Sequence, residues 1–337
     1  VRWWTTLVLA LLGCGDPRTI GEDDPDWSSW DDAPTAERLP VTVATWNVQE
    51  LGAPGTEDYE SALRVIRRLD ADVLGLNEID ESERTWLQEL AEDAGYSTVV
   101  LPPDQPFGSI GNALLSRFDG RRVETPDGAA LSEDPGAHDL TRRPVVFTAG
   151  IPGTDAELTV VVQHWKSGFE EADVFRRAVD AERTAQAAEL GEASDFLIVM
   201  GDVNEDLVDL EAEAQVFDAL PEDLPGDYSL GDDLWADVQG EGLAYAPFGV
   251  LEALGLEPVD ALQRDGESAT RPTSGRRLDY VFASRAVRDA RLETEVYDCR
   301  DEAIEGLAVG TPVPGSNDCN HASDHLPVIV RFEVVGG

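Results

Sequence analysis

From residue 40 to the end of the chain, short apolar runs alternate with stretches of helical period. VTVATWNV (41–48) is short and β-branched and stops at polar residues, which predicts a strand. SALRVIRRL (61–69) sets Leu63, Ile66 and Leu69 on one stripe of a helix. ADVLGLNEID (71–80) is a second buried-strand pattern, and the helical stretch after it carries Trp86, Leu87 and Leu90. NALLSRF (112–118), PVVFTAG (144–150), LTVVVQHW (158–165) and FLIVMGDVN (196–204) continue the strand series, with an Ala/Glu/Arg helix over about 171–191 between the last two. RLDYVF (277–282) and PVIVRFEVV (327–335) close it. Several neighbouring strands have no helix between them. The pattern therefore predicts an α/β fold of mixed sheets with helices outside, not an all-parallel sheet. No internal repeat or further domain boundary is visible after residue 40.

The first 39 residues have a different texture. One Arg precedes an apolar run from Trp3 to Leu12, followed by Gly13 and Cys14. Ten residues reach about 15 Å as a helix, half of the roughly 30 Å needed to span a bilayer, so this is no membrane span. A basic start, an apolar stretch and a small residue before the cut describe an export signal over residues 1–13. Leu11-Leu12-Gly13-Cys14 resembles a bacterial lipobox, which makes Cys14 the expected lipidation site. Residues 14–39 are rich in Pro, Gly, Ser and Asp and keep no apolar period, so they read as an acidic tether ahead of a domain at 40–337. The expected location is extracytoplasmic, either anchored in the cell envelope through that lipid or secreted. Export places Cys299 and Cys319 in an oxidising compartment, where the pair most simply forms one disulfide.

Charge narrows the partners. The chain carries 68 acidic and 25 basic residues, for a net charge of -43. A broad basic face for nucleic acid or an anionic membrane is excluded, because that attraction needs clustered Lys and Arg. Action on a phosphate through a metal ion stays open, since the ion brings its own positive charge. With three cysteines, a disulfide scaffold or Cys-rich zinc site is also out of reach.

Polar residues that end the apolar runs carry the candidate chemistry: Asn47, Glu78, His164 with Lys166, Asp202 with Asn204, Asp279, and Asp324 with His325. Rigid strands ending in such residues deliver them to a common cleft. Carboxylates, carboxamides and two imidazoles suit Mg²⁺, with Mn²⁺ or Ca²⁺ as substitutes, better than zinc. The residues by themselves point to metal-assisted phosphoester hydrolysis. Lys166 is the only lysine of the chain, two residues from His164, and so suggests a place for a compact ammonium on phosphate.

ATWNVQ (44–49), DVLGLNEID (72–80), GNALLSR (111–117), QHWKS (163–167), MGDVNED (200–206), RLDYVFAS (277–284) and SDHLPV (323–328) resemble, in order, the motifs of the endonuclease/exonuclease/phosphatase superfamily. That group includes pancreatic deoxyribonuclease, abasic-site endonucleases, inositol-phosphate phosphatases and bacterial sphingomyelinases. GLNEID and HWKS are closest to bacterial secreted nuclease-like members. The resemblance implies a four-layer α/β sandwich, two mixed sheets face to face with helices outside. It implies that Glu78 is the principal metal carboxylate, with Asn47 and Asp324 close to the same ion. Asp202 and Asn204 match the pair that orients or deprotonates the attacking water and holds the phosphate. His325 matches a histidine that contacts the phosphate or assists proton transfer, Asp279 the carboxylate that orients it, and His164 a second histidine on the phosphate or leaving oxygen. Asn77 departs from the Gln that many members carry before the metal Glu.

Other residues read more plainly. His138 is expected in a loop, and Pro327 argues against a helical zinc pair of His321 and His325. Asp206 and the acidic run 209–213 are expected on a solvated helix face. Arg142, Arg143, Arg176 and Arg177 line either the groove or the surface, and Tyr245 and Trp235 fall in the irregular stretch 221–276. The expected activity is a nuclease-type phosphodiesterase acting as a monomer on a phosphodiester, DNA or RNA included, with the membrane reached only through Cys14. A lipid-headgroup phosphodiesterase, a small-molecule phosphatase and, more remotely, an inactive binding module remain as alternatives.

Overall fold

The computed structural model describes residues 37–101, 105–191, 194–212, 215–225, 232–238, 241–300, 305–310 and 321–337. In chain order the described elements begin with β1 (Arg38–Asn47), α1 (Glu57–Leu69), β2 (Val73–Asp80), α2 (Arg84–Ala94), β3 (Thr98–Val100), β4 (Ile110–Ser116) and β5 (Gly120–Val123). There follow α3 (Gly128–Ser132), β6 (Val145–Gly150), β7 (Glu157–His164), α4 (Glu171–Glu189), β8 (Phe196–Asp202) and α5 (Leu207–Ala212). Then come β9 (Val216–Phe217), α6 (Asp233–Asp237), β10 (Leu243–Ala244), α7 (Pro247–Ala253) and β11 (Glu257–Pro258). The chain ends with β12 (Asp279–Ala283), α8 (Arg285–Arg288), β13 (Glu293–Val296) and β14 (Val328–Val335).

Two six-stranded sheets result, ordered β13-β14-β1-β2-β4-β3 and β11-β12-β8-β7-β6-β5, with β9 and β10 as a separate pair. Both sheets are mixed. Each has one parallel pair, β1 with β2 and β7 with β8, while the other pairings are antiparallel. Parallel neighbours need a crossover, and α1 and α4 supply it. Alternate residues of the second sheet face opposite ways. Val160, Val162, Ile198 and Met200 join the cluster that also holds β1, β2 and α1 side chains. Val161, Val199 and Phe282 instead pack with Ala181, Ala185, Phe248 and Leu251 of α4 and α7. The α/β sandwich of two mixed sheets with outer helices is the one expected from the chain pattern.

The sheets approach closely at β2. A Cβ on Gly75 would lie 2.8 Å from Met200 Cε and 2.8 Å from Val162 Cγ2, so a glycine is needed there. The stripe expected on α1 is buried, and Thr56 caps the helix by accepting the Tyr59 amide. Asp206 departs from its expected solvated position. It is 9% exposed, and its carboxylate accepts the backbone amides of Val208 and Arg277. Strand β1 begins at Arg38, paired with Val335, inside the segment 14–39. Cys299 is buried and disulfide-bonded. Its expected partner Cys319 lies outside the described residues, as do Cys14 and the segment 1–36.

Gly75→Ala is expected to cost about 1–3 kcal/mol through overpacking of β-branched Val162, read as a lower midpoint in urea unfolding. An unchanged midpoint would show that the sheets can separate there without loss.

Candidate active site

The carboxyl ends of the two parallel strand pairs lie at one end of the sandwich. Asn47 ends β1 opposite Asn77 of β2, and His164 ends β7 opposite Asp202 of β8. Antiparallel β12 begins at that same end, with Asp279 opposite Asp202. His325 lies three residues before β14. The pairing of β2 with β4 shifts register between Leu76 and Ile79, and Glu78 sits in that irregularity at φ +63°. A bulge of this kind re-aims one side chain, and a left-handed non-glycine residue there marks strain held by its surroundings. Asn204 at φ +52° turns the chain after β8 in the same way.

Asn77 holds the bulge. Its side chain is fully buried and donates to Asn112 Oδ1 and to the Gln163 carbonyl, both at 2.8 Å. Its side-chain Oδ1 accepts the Asp202 amide at 2.9 Å. Asn47 then bridges the two carboxylates, its Nδ2 donating at 3.0 Å to Glu78 Oε1 and at 3.0 Å to Asp202 Oδ2. Asp202 Oδ1 accepts the Asn204 amide at 2.8 Å. His164 Nε2 lies 3.8 Å from Glu78 Oε1 and 3.7 Å from Asp202 Oδ2.

His325 enters from the other side. Its Nδ1 donates to Asp279 Oδ2 at 2.7 Å, while Nε2 faces Asp324 Oδ1 at 3.8 Å and Asp202 Oδ2 at 4.0 Å. The backbone there is clamped. Trp46 Nε1 donates to the His325 carbonyl, the Ser323 hydroxyl accepts the His325 amide, and that hydroxyl donates to the Asn47 carbonyl. Asp324 is turned to Arg271, whose Nε and Nη2 reach its Oδ2 at 3.0 and 2.8 Å.

Two loops close the site. The Trp165 carbonyl accepts Arg142 Nη1 at 3.2 Å and Asn204 Nδ2 at 3.0 Å. Asp180, a fully buried residue of α4, accepts the Thr141 amide at 2.6 Å and the Lys166 amide at 2.7 Å. One carboxylate thus fixes the loops that carry both Arg142 and Lys166. The Lys166 ammonium itself pairs with Asp173 at 2.8 Å and donates to the Ser167 carbonyl.

The two imidazoles are pushed in opposite directions. Burial drives His164 well below its ordinary value, and the Arg142 charge reinforces this, so it is neutral. Burial also works against a charged His325, but the Asp279 carboxylate overrides it and raises the group to about 10. His325 is therefore an imidazolium at neutral pH. Burial pushes Asp202 upward, with the His325 charge opposing.

Glu78, His164 and Asp202 each offer one donor atom, and these lie within 4.8 Å of one another. Asp202, Asp279 and His325 form a second such group. The first set fits a hard divalent cation. Two carboxylates from different sheets share one Asn47 nitrogen, and a neutral His164 leaves their charge unbalanced.

Of the residues singled out from the sequence, Asn47, Glu78, His164, Asp202, Asn204, Asp279 and His325 come together here. Asp324 borders the cluster on Arg271, and Lys166, tied by its backbone to Asp180 and Arg177 of α4, points its ammonium at Asp173. Sequence reasoning left Arg142 uncommitted and missed Asp180, Arg271 and Ser323. In the sequence Asn77 stands out only as a departure from the Gln of many family members. A polar residue inside an apolar strand must find a buried partner, and that was its available signal. Asp180 offered the same clue in an alanine-rich helix.

A model of the endonuclease/exonuclease/phosphatase family matches residues 44–325. No curated protein matches the chain. Among solved structures, it resembles an endonuclease/exonuclease/phosphatase protein from Beutenbergia cavernae, with 20% identity and a TM-score of 0.51 over 89% of this chain and 72% of the other. An AP endonuclease from Archaeoglobus fulgidus shares 17% identity at a TM-score of 0.50, covering 87% and 100% of the two chains. ANGEL2, a 2',3'-cyclic phosphatase, shares 16% identity at a TM-score of 0.52, covering 88% and 96%. At these identities the likeness is one of fold.

Asp279→Asn removes the charge that holds His325 protonated. The imidazolium should then persist only to a lower pH, so the His325 titration seen by NMR should move down from about 10. A midpoint unchanged by the substitution would assign that stabilisation to other groups.

Proposed function

The chain belongs to the endonuclease/exonuclease/phosphatase family, and from that premise we propose a divalent-metal-dependent phosphodiesterase of the nuclease type, exported from the cytoplasm. Membership makes it a phosphoester hydrolase. The observation that carries the finer reading is the meeting of Glu78, His164 and Asp202 from both sheets beside an imidazolium at His325.

Glu78 would hold the cation, with Asn47 and Asp202 next to it and Asp324 at the border. When bound, a divalent cation supplies charge neutralisation for the phosphodiester and for the charge that develops on it. Asp202, fixed through Oδ1 by the Asn204 amide, accepts a proton from the attacking water. Burial raises its proton affinity toward the range a general base needs. His325, locked by Asp279, presents a cationic Nε2–H to a non-bridging phosphoryl oxygen. Neutral His164 and the Asn204 carboxamide, which is held on the Trp165 carbonyl, face the same oxygens or the leaving oxygen. The half-buried Arg142 guanidinium adds a positive charge beside the site; burial pulls its pKa down, opposed by the charges of Asp180, Glu78 and Asp202. Lys166 would meet phosphate only by leaving Asp173.

With a net charge of -43, a long polyanion is repelled, so short phosphodiesters are the favoured substrates. Export rests on residues 1–14 and the lipobox-like LLGC, with Cys14 as the lipid carrier. Cys14→Ser should abolish incorporation of labelled palmitate by producing cells; retained label would exclude that anchor.

The chain freed of metal should regain hydrolysis of bis-p-nitrophenyl phosphate on addition of Mg²⁺ or Mn²⁺, with p-nitrophenyl phosphate, plasmid DNA and sphingomyelin assayed beside it. Asp202→Ala should lower turnover by about 10²–10⁴-fold, the usual worth of a general base, and Glu78→Ala should remove the metal response. Turnover of sphingomyelin or the monoester alone would overturn the phosphodiesterase of nuclease type. Rates like those of the parent protein in either variant would overturn the site.

A further inference from the structure

Asp324 is the carboxylate that stands next to the centre without joining it. Its Oδ1 lies 3.8 Å from His325 Nε2, which is itself 4.0 Å from Asp202 Oδ2. Among the described residues it nonetheless belongs to neither group of donor atoms that could hold an ion. Its Oδ2 accepts two bonds from a single guanidinium, Arg271 Nε at 3.0 Å and Nη2 at 2.8 Å. Bonds in which both partners are charged are the strong ones, so this oxygen is committed to Arg271.

Arg271 is delivered from a fixed base. Thr270 before it is fully buried, and its hydroxyl accepts the amides of Leu278 and Asp279 at 2.9 and 3.0 Å. The Thr270 carbonyl accepts the Leu326 amide at 2.6 Å, and the Arg271 amide donates to the Arg276 carbonyl at 3.0 Å, which closes a tight hairpin. The backbone under Arg271 is thereby tied to the two segments that present Asp279 and His325. The ion pair itself is open to water, with the Arg271 side chain 42% exposed and that of Asp324 27% exposed. A pair so exposed adds little to the stability of the fold, and it can exchange partners without disturbing the core. Its consequence is electrostatic and local. A guanidinium stays charged at any pH the protein meets, and it competes with a hard cation for the same carboxylate oxygen.

We propose that Arg271 withholds Asp324 from the cation at Glu78 and so weakens the hold of the protein on that ion. The inference rests on the metal-dependent reading of the site and deepens it. With one carboxylate fewer among its ligands, a divalent cation keeps more positions for phosphate oxygens. Arg271 is a positioning residue, since it acts on the cation through Asp324. Its removal should therefore tighten metal binding, the opposite of what loss of a merely structural contact would do.

The test is a double-mutant cycle, read by calorimetric titration of Mn²⁺ into the metal-free full chain without substrate. Salt at about 0.15 M screens the field of charges beyond roughly 8 Å. Arg271→Gln should tighten Mn²⁺ binding about 10-fold, the lower end of what the partners of metal ligands are worth. Arg271→Met is titrated beside it, and thermal midpoints are read for both, so that misfolding of one variant does not decide the outcome. In the Asp324→Asn background the same substitutions should gain clearly less, because no carboxylate is there to be released. Unchanged or looser binding in folded Arg271 variants, or an equal gain in both backgrounds, would overturn the proposal. So would absence of Mn²⁺ binding from the parent chain and the Arg271 variants alike. Glu78→Ala separates this inference from the reading beneath it. Loss of Mn²⁺ binding there keeps the ion at Glu78 whatever Arg271 does, whereas binding untouched by Glu78→Ala sinks the metal site itself.

Discussion

Glu78 and Asp202 belong to different sheets, and the carboxamide of Asn77 joins those sheets at the point where chemistry is needed. Its oxygen takes the Asp202 amide, and its nitrogen serves both the Gln163 carbonyl and Asn112. All three bonds are buried, so losing any one strands a polar group at about 1–3 kcal/mol. The same residue precedes the irregularity that turns Glu78 toward Asp202. Packing alone brings the sheets together at Gly75, but apolar contacts are indifferent to small sliding motions. Hydrogen bonds of fixed length are not, and they set the distance between the two carboxylates.

From that spacing follows the electrostatic design. Carboxylates are gathered where a strongly acidic chain can least tolerate them, and each is given a local answer. Asp279 is answered by the His325 imidazolium, Asp324 by Arg271, and Asp202 by Asn47, Asn204 and the His325 charge. Glu78 is the least covered of these groups, and it faces neutral His164. Glu78, His164 and Asp202 are placed so that they could hold a cation together. Beyond the centre, Arg177 and Arg276 are paired with Glu205 and Asp209.

The loops around the centre owe their order to helix α4 more than to their own sequence. Asp180 accepts an amide from each of two loops, Arg177 binds two carbonyls of one of them, and Thr184 takes the Trp165 indole. A helix that buries charged side chains pays a desolvation cost unless every one finds a partner. Here the partners are loop backbone groups, which converts that cost into rigidity at the active site.

How far this could be read from the chain differs by the range of the interaction. Strands β1, β2, β4, β6, β7, β8, β12 and β14 were legible, because their apolar runs are long enough to show a pattern. The short strands β3, β5, β9, β10, β11 and β13 have two to four residues and show none. The residues ending the long strands were legible too, since a polar side chain after an apolar run marks where the chain meets solvent. Partners were not. Asn77 meets Asp202 across 125 positions, Asp324 meets Arg271 across 53, and Lys166 turns to Asp173 instead of inward. The sequence determined which side chains stand at the ends of the strands, because strand periodicity is local. Only the tertiary structure decided which atoms they touch, because those distances come from sheet packing and long-range hydrogen bonds that no local pattern encodes.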